Sequence, residues 1–348
     1  MCAIKKIPPF KKILIGDLYF QASEDRKSAV VVGYSELDLD YEELIVPESI
    51  TFGGEIFPVT EISIGALRFL KTVKKILIPD SIIKIGRSPF FGSMALTSIF
   101  IGKRVQYIHG TAFNNCPSLC NIEISDENPY FCFDDGVLFT RDKTKLLNCL
   151  TCKEGVFVIP NSVKVITDWA FYNCSHITSI TIPCGLTCLG QNVFYGCSSL
   201  SEVVWNAKYF LNFSYYTGQY FPFQHINELI KSFKFGDNVV HIPAYICYGM
   251  KNLKSISFPK NVTTIGTAAF ERCCLLESVT LNSNVRNIGD RAFKSCTSLK
   301  NISIPNSVLR IGVMAFSNCS AIENLVIPPS VNIIEEKALE NCYYTIYL

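Results

Sequence analysis

The chain has 348 residues, 49% of them hydrophobic and 18% charged, and its 32 basic and 30 acidic side chains leave a net charge of +2. So apolar a composition excludes a disordered chain, and the charge balance gives no electrostatic case for nucleic acid or an anionic membrane. No run of about 18 apolar residues occurs, so no membrane insertion by a helix is expected.

The first residues, MCAIKKIPPFKKILIG, are basic, but Pro8, Pro9, Lys11 and Lys12 interrupt any apolar core of a signal peptide. The expectation at this point is a cytoplasmic protein, or a chain already processed or shortened. Ile13–Phe20 and Ala29–Tyr34 read as strands around the polar turn Ser23-Glu24-Asp25-Arg26-Lys27. Ile50–Phe52 and Glu55–Phe57 flank Gly53-Gly54, a two-residue loop suited to positive φ at both positions. Residues 1–58 do not repeat and are expected to form an N-terminal β-hairpin cap, which a stack of repeats needs over its first turn.

From Val59 the chain repeats. LLESVTLNSNVRNIGDRAFKSC, LKNISIPNSVLRIGVMAFSNC and AIENLVIPPSVNIIEEKALENC follow one another, with an anchor at Phe270, Phe293, Phe316 and Leu339 and a period of 23 residues. Backward, the anchor position falls on Leu67, Phe90, Phe113, Phe171, Phe194 and Cys247. A period of this size means a solenoid whose turns bury their apolar face only against their neighbours. Leu299, Ile302 and Ile304 are expected to face inward on a short parallel strand, with Asn301 and Ser303 outward. Pro305 ends that strand, Val308 and Ile311 point back in, and Ala315-Phe316 are expected in a short helical or 3-10 turn that closes the coil. A glycine column (Gly86, Gly190, Gly266, Gly289, Gly312) marks a place needing room, because Pro243 shares the column and cannot adopt positive φ.

Two stretches break the period, at 125–158 and 205–234. The first carries YFCFDDGVLFTRDKTKLLNCL, two strand pairs turning at Asp135-Gly136 and Arg141–Lys145. In the second, Pro222-Phe223 echoes Pro89-Phe90. Counting both as stretched turns, residues 59–348 make about twelve turns of one coil.

Seven cysteines (Cys116, Cys174, Cys197, Cys273, Cys296, Cys319, Cys342) stand three residues after the anchor. Stacked turns hold equivalent side chains parallel and roughly 4.8 Å apart, whereas a disulfide needs converging Cβ atoms about 3.8 Å apart. A buried ladder of free thiols is therefore expected. The four histidines, His109, His176, His225 and His241, form no H-E-x-x-H, and no G-x-S-x-G, Walker A or G-x-G-x-x-G sequence occurs. Cys149-x-x-Cys152, with Cys184 and Cys188 after it, is the one spacing that resembles a zinc site, but Cys184 and Cys188 sit at ordinary repeat positions. No catalytic residue, metal or cofactor is expected.

IPNSVKVITDWAFYNC (159–174) and its relatives resemble the BspA-like, Treponema pallidum-type class of leucine-rich repeat. The segments GDLYF, DGVLFTRDKTKLL and VVWNAKYF are similar to accessory pieces of bacterial members of that family. The resemblance implies a right-handed leucine-rich coil, a surface-displayed or secreted protein, and a protein or glycan partner such as a host surface component. It brings no catalytic residues with it.

Binding is expected on outward strand positions. There Leu77 and Phe100 form the one adjacent apolar pair, set against a Ser/Thr ladder in the C-terminal half. A second candidate is the aromatic run 209–223, represented by Tyr209, Phe210, Phe213, Tyr215, Tyr216, Tyr220 and Phe221, which would suit sugar stacking or protein anchoring if exposed and a local core if not. The resulting expectation is a non-catalytic, adhesin-like binding protein, with a cytoplasmic interaction scaffold as the alternative. The final YYTIYL reads as the start of a further strand with an uncovered edge, a candidate surface for self-association.

Overall fold

The computed structural model describes residues 11–35, 41–208, 210 and 222–346. They form two compact units, 1–153 with 167–174 and 154–166 with 175–348.

The first unit opens with an antiparallel meander of β1 (Ile13–Ile15), β2 (Leu18–Ala22) and β3 (Ala29–Tyr34). The strand expected over 13–20 is split in two because Gly16 takes φ +57 and turns the chain. After β4 (Glu43–Ile45), β5 (Ser49–Phe52) and β6 (Glu55–Ile62) make the hairpin expected at Gly53-Gly54, whose φ values are 62° and 83°. Two parallel ladders then climb together. One is β4 beside β7 (Lys75–Ile78), β9 (Ser98–Ile101) and β11 (Asn121–Ile124); the other is β6 beside β8 (Lys84–Ile85) and β10 (Tyr107–Ile108). Rungs such as Ile76↔Ile99 and Ile85↔Ile108 pair residues one period apart. The first stretched turn adds β12 (Phe131–Asp134), β13 (Val137–Thr140) and β14 (Lys145–Cys149) as an antiparallel insert. Asp135 and Gly136 both take positive φ at its first turn, and the Asp142 carboxylate accepts from Thr140 and Thr144 at its second.

The second unit repeats the same scheme. Its inner ladder is unbroken over five strands from His241–Ile242 to Ile333–Ile334. Its strand face falls into three sheets: Gly155–Val158 to Ser232–Phe235, Ser255–Ser257 to Asn301–Ile302, and Leu325–Ile327 with Tyr344–Ile346. Phe223 completes the anchor column of the second stretched turn: its ring stacks on Phe194 at 5.1 Å, as Phe270 stacks on Phe293 at 5.3 Å and Phe293 on Phe316 at 5.4 Å.

The closing turns correct one expectation: among the described residues they contain no helix. Residues two before and two after most anchors lie in the left-handed region, as at Arg291 (φ 57) and Ser295 (φ 62) around Phe293; Thr111, before Phe113, and His225, after Phe223, do not. A helix cannot pass through such positions. Instead the backbone alternates. The N–H groups of Ala292, Lys294 and Cys296 donate three residues back within the turn, to Gly289, Arg291 and Phe293. Those of Arg291, Phe293 and Ser295 donate across to Val313, Ala315 and Ser317 of the next turn, each at 2.8 Å. Turns whose third residue has positive φ are of type II, which normally recruits Gly there. The glycine column serves a different need, since a Cβ at Gly289 would stand 2.6 Å from the Ile265 carbonyl. It provides room for the preceding turn.

Candidate functional site

The inward residues leave little chemistry available. The column thiols are buried donors: Cys116 Sγ gives to Phe90 O at 3.1 Å, Cys296 to Phe270 O at 3.2 Å and Cys319 to Phe293 O at 3.1 Å. Each carbonyl that receives them belongs to an anchor, so the cysteine ties one turn to the last. Burial pushes the Cys116 thiol up to about 12 and raises Cys247, Cys273 and Cys296 as well, which keeps these sulfurs protonated and unreactive. His109 Nδ1 lies 2.9 Å from Thr111 Oγ1 and 3.1 Å from the Thr111 N–H, closing its turn. Burial and the Arg87 charge disfavour its protonation. His225 Nε2 meets Asn192 Oδ1 at 3.1 Å, and its ring rests on Tyr195. Among the described residues no three His, Cys, Asp or Glu side chains converge in a metal-binding geometry. Cys149 is buried with its thiol on Leu150 O, while Cys184 and Cys188 are exposed.

The outward strand positions are more informative. Leu77 and Phe100 are register partners on β7 and β9, both half-exposed. Ile45 of β4 is the register partner of Leu77 on the other side and is 62% exposed. Three hydrogen-bonded strands thus present an apolar row, Ile45–Leu77–Phe100, which ends at Glu123 of β11. The parallel row beside it is polar: Glu43, Lys75, Ser98 and Asn121, with Lys75 paired to Glu43 at 3.4 Å. Exposed pairs of this kind contribute about 0–1 kcal/mol, so they set charge pattern more than stability.

Ile45 escaped the sequence reading because β4 lies 32 residues before β7 rather than 23, inside the stretch expected not to repeat. The signal was nonetheless there, since ELIVPESI (43–50) matches KILIPDSI (75–82) nearly residue for residue.

The aromatic candidate divides differently. Phe210 is buried, 4% exposed, and meets Trp205 edge to face at 5.3 Å, so it belongs to the core and leaves the candidate surface. Tyr209, Phe213, Tyr215, Tyr216, Tyr220 and Phe221 lie outside the described residues. In the second unit the strand face carries a shallow groove of about 480 Å³ with a mixed lining, in which Ser278, Thr280, Lys300 and Asn301 alternate with apolar residues such as Leu281 and Ile302.

A BspA type leucine rich repeat region matches this chain in six copies over residues 48–134, 148–217 and 218–345. The chain belongs to the BspA-type leucine-rich repeat family. No curated protein matches it. Among solved structures, this BspA-type chain is similar to a leucine rich cell surface protein of Faecalibacterium prausnitzii, at 22% identity over 97% of this chain and 94% of that one, with a TM-score of 0.46. A leucine-rich repeat protein of Bacteroides ovatus shows 20% identity over 95% and 92%, with a TM-score of 0.48. The leucine-rich repeat protein of T. pallidum shows 18% over 83% and 91%, with a TM-score of 0.26.

Proposed function

We propose that this BspA-type chain is a non-catalytic binding protein that recognises a protein or glycan through the Ile45–Leu77–Phe100 row. The observation that carries the reading is that row itself: apolar side chains in register across three strands, on a face where a solvated strand would carry polar residues. An apolar patch that includes an aromatic side chain and has a polar rim matches the layout of a recognition surface. The buried thiols and the turn-closing histidine favour a structural over a catalytic use of those residues. Family membership supports display on, or release from, the cell.

The test is binding of the purified chain to immobilised extracellular glycans and matrix proteins, compared with Leu77→Lys and Phe100→Ser variants. A genuine ligand loses at least about tenfold in affinity with either variant, the effect of about 1.4 kcal/mol at one anchor, while the thermal unfolding curve stays in place. Unchanged binding by both folded variants rejects this surface. Protease shaving of intact cells tests the location, and protection of the chain rejects surface display.

A further inference from the structure

The closing turns of the first unit carry an outlier. Two residues after the anchor, the left-handed position is held by glycine, asparagine, serine or arginine in every other turn that adopts it, but by Phe69 (φ 61) after Leu67. A bulky side chain is rarely left-handed, and strain of this kind clusters at sites where a protein meets a ligand. The Phe69 ring is 55% exposed. It lies over Gly92, where a Cβ would collide with it, and meets Phe91 edge to face at 6.0 Å. The Arg68 guanidinium stands over both rings, 5.3 Å from the Phe69 centroid and 5.1 Å from that of Phe91. Hydrogen bonds to the backbone hold the arrangement. The Phe69 N–H donates to Phe91 O at 2.9 Å, the Gly65 N–H to Arg87 O at 3.1 Å, and Tyr34 Oη to Arg68 O at 2.9 Å. Ile64 and Met94, one residue before Gly65 and two after Gly92, are both more than half exposed. Residues 63–72 and 86–95 contain three cations, Arg68, Lys71 and Arg87, and no Asp, Glu, Asn or Gln. All three cations are exposed, and among the described residues none lies within ion-pair distance of a carboxylate.

We propose that these two turns form a second interaction surface, built on Phe69, Phe91 and Arg68, that binds an acidic protein segment in which carboxylates flank an apolar side chain. Aromatic, Met and Arg side chains with few acids are the composition of a protein interface core. The unmatched positive charge fixes the sign of the partner, since its carboxylates reach Arg68, Lys71 and Arg87 without first breaking an ion pair. Holding Arg68 against two rings also limits the side-chain freedom lost on binding. A sugar's hydroxyls need side-chain amides or carboxylates to accept and orient them. The two turns offer none, which favours a polypeptide over an anionic glycan. This surface lies on turns that close the coil, apart from the strand row Ile45–Leu77–Phe100, and does not depend on the reading of that row.

The experiment selects a random peptide library on the full chain, then measures the Kd of the recovered peptides for the unaltered chain and for Phe69→Gly, Arg68→Gln and Leu77→Lys. Glycine suits φ 61, so Phe69→Gly removes the ring and keeps the fold, which the thermal unfolding curve checks. The recovered peptides should be acidic and carry a large apolar residue. Their binding should weaken at least about tenfold in Phe69→Gly and in Arg68→Gln, weaken in about 1 M salt, and stay unchanged in Leu77→Lys. That last result separates this surface from the strand row. Peptides that bind Phe69→Gly as tightly as the unaltered chain overturn the proposal, as do recovered peptides with no excess of acid, or the recovery of none. So does binding that goes instead to heparin or polygalacturonate and is lost in the same two variants, which makes the occupant an anionic glycan.

Discussion

Two stretches of strand face, one in each unit, follow one inward rule and differ outward; elsewhere the second unit also exposes Val156 and Val158 on its strand face. In the second unit, the rungs Ser255–Ser278–Asn301 and Ser257–Thr280 carry only small polar side chains outward. In the first, the equivalent rungs carry Ile45–Leu77–Phe100 and Glu43–Lys75–Ser98. Inward they are interchangeable: Ile76, Ile99 and Ile122 are buried as fully as Ile256 and Val279. Stacking constrains only what faces the neighbouring turn, so a solenoid can rewrite its outer rows without altering its coil. A row that departs from the polar default is thus informative about use, whereas one that keeps it is informative only about folding.

The largest effect expected on the shared inward rule is at the anchors. Phe293→Ala should cost on the order of 3–5 kcal/mol, because its ring is wholly buried between Phe270 and Phe316. Phe223→Ala should cost a similar amount if the stretched turn is a true rung, since that ring is packed between Phe194 and Phe233. Urea unfolding of both variants measures this, and a loss below about 1 kcal/mol at Phe223 would separate the stretched turn from the regular ones.

A second expectation concerns alkaline pH. The unfolded thiols release protons near the ordinary value of 9.0, while burial holds Cys116 near 12 and raises Cys247, Cys273 and Cys296. Above pH 9 the unfolded chain therefore binds fewer protons than the folded one. Stability from this source is intact below about pH 9 and falls as pH rises toward 12, by about 1.4 kcal/mol per pH unit for each such thiol. Melting temperatures between pH 8 and 10 should show the decline, and Cys273→Ala should make it shallower by one proton.

The smallest effect is in the closing turns. Arg291 is exposed and held at φ 57, so Arg291→Gly should be neutral or stabilising by up to about 1 kcal/mol. Arg291→Val should destabilise by a similar amount, and the pair of unfolding curves decides whether the left-handed position is strained.

These turns also mark where sequence reading stops. The anchor column, the thiol ladder, Pro222-Phe223 and the insert hairpins were legible, because each rests on a period or on turn residues with one favoured geometry. The alternating backbone was not. Its left-handed positions hold Ala268, Arg291, Met314 and Lys337, residue types that read as helix formers. Hydrogen bonds to the neighbouring turn impose that conformation, and no local propensity announces it. Ile45 was hidden for a related reason, since its row depends on a partner, Leu77, brought close by the coil rather than by its own segment.

One consequence of those closing turns is electrical. From Tyr245 to Asn318, three peptide groups per turn aim N–H at the following turn and C=O at the preceding one, over four successive steps. Each peptide carries a dipole of about 3.5 D, and aligned peptides add. This side of the second unit therefore builds up an axial macrodipole like that of a helix, but with the opposite sense, since its positive pole lies toward the later turns. The turn at that pole carries Glu335, Glu336 and Glu340 together with Lys337, and Arg310 pairs with Glu335. A coil of turns without a helix thus aligns its peptides along one axis as a helix does.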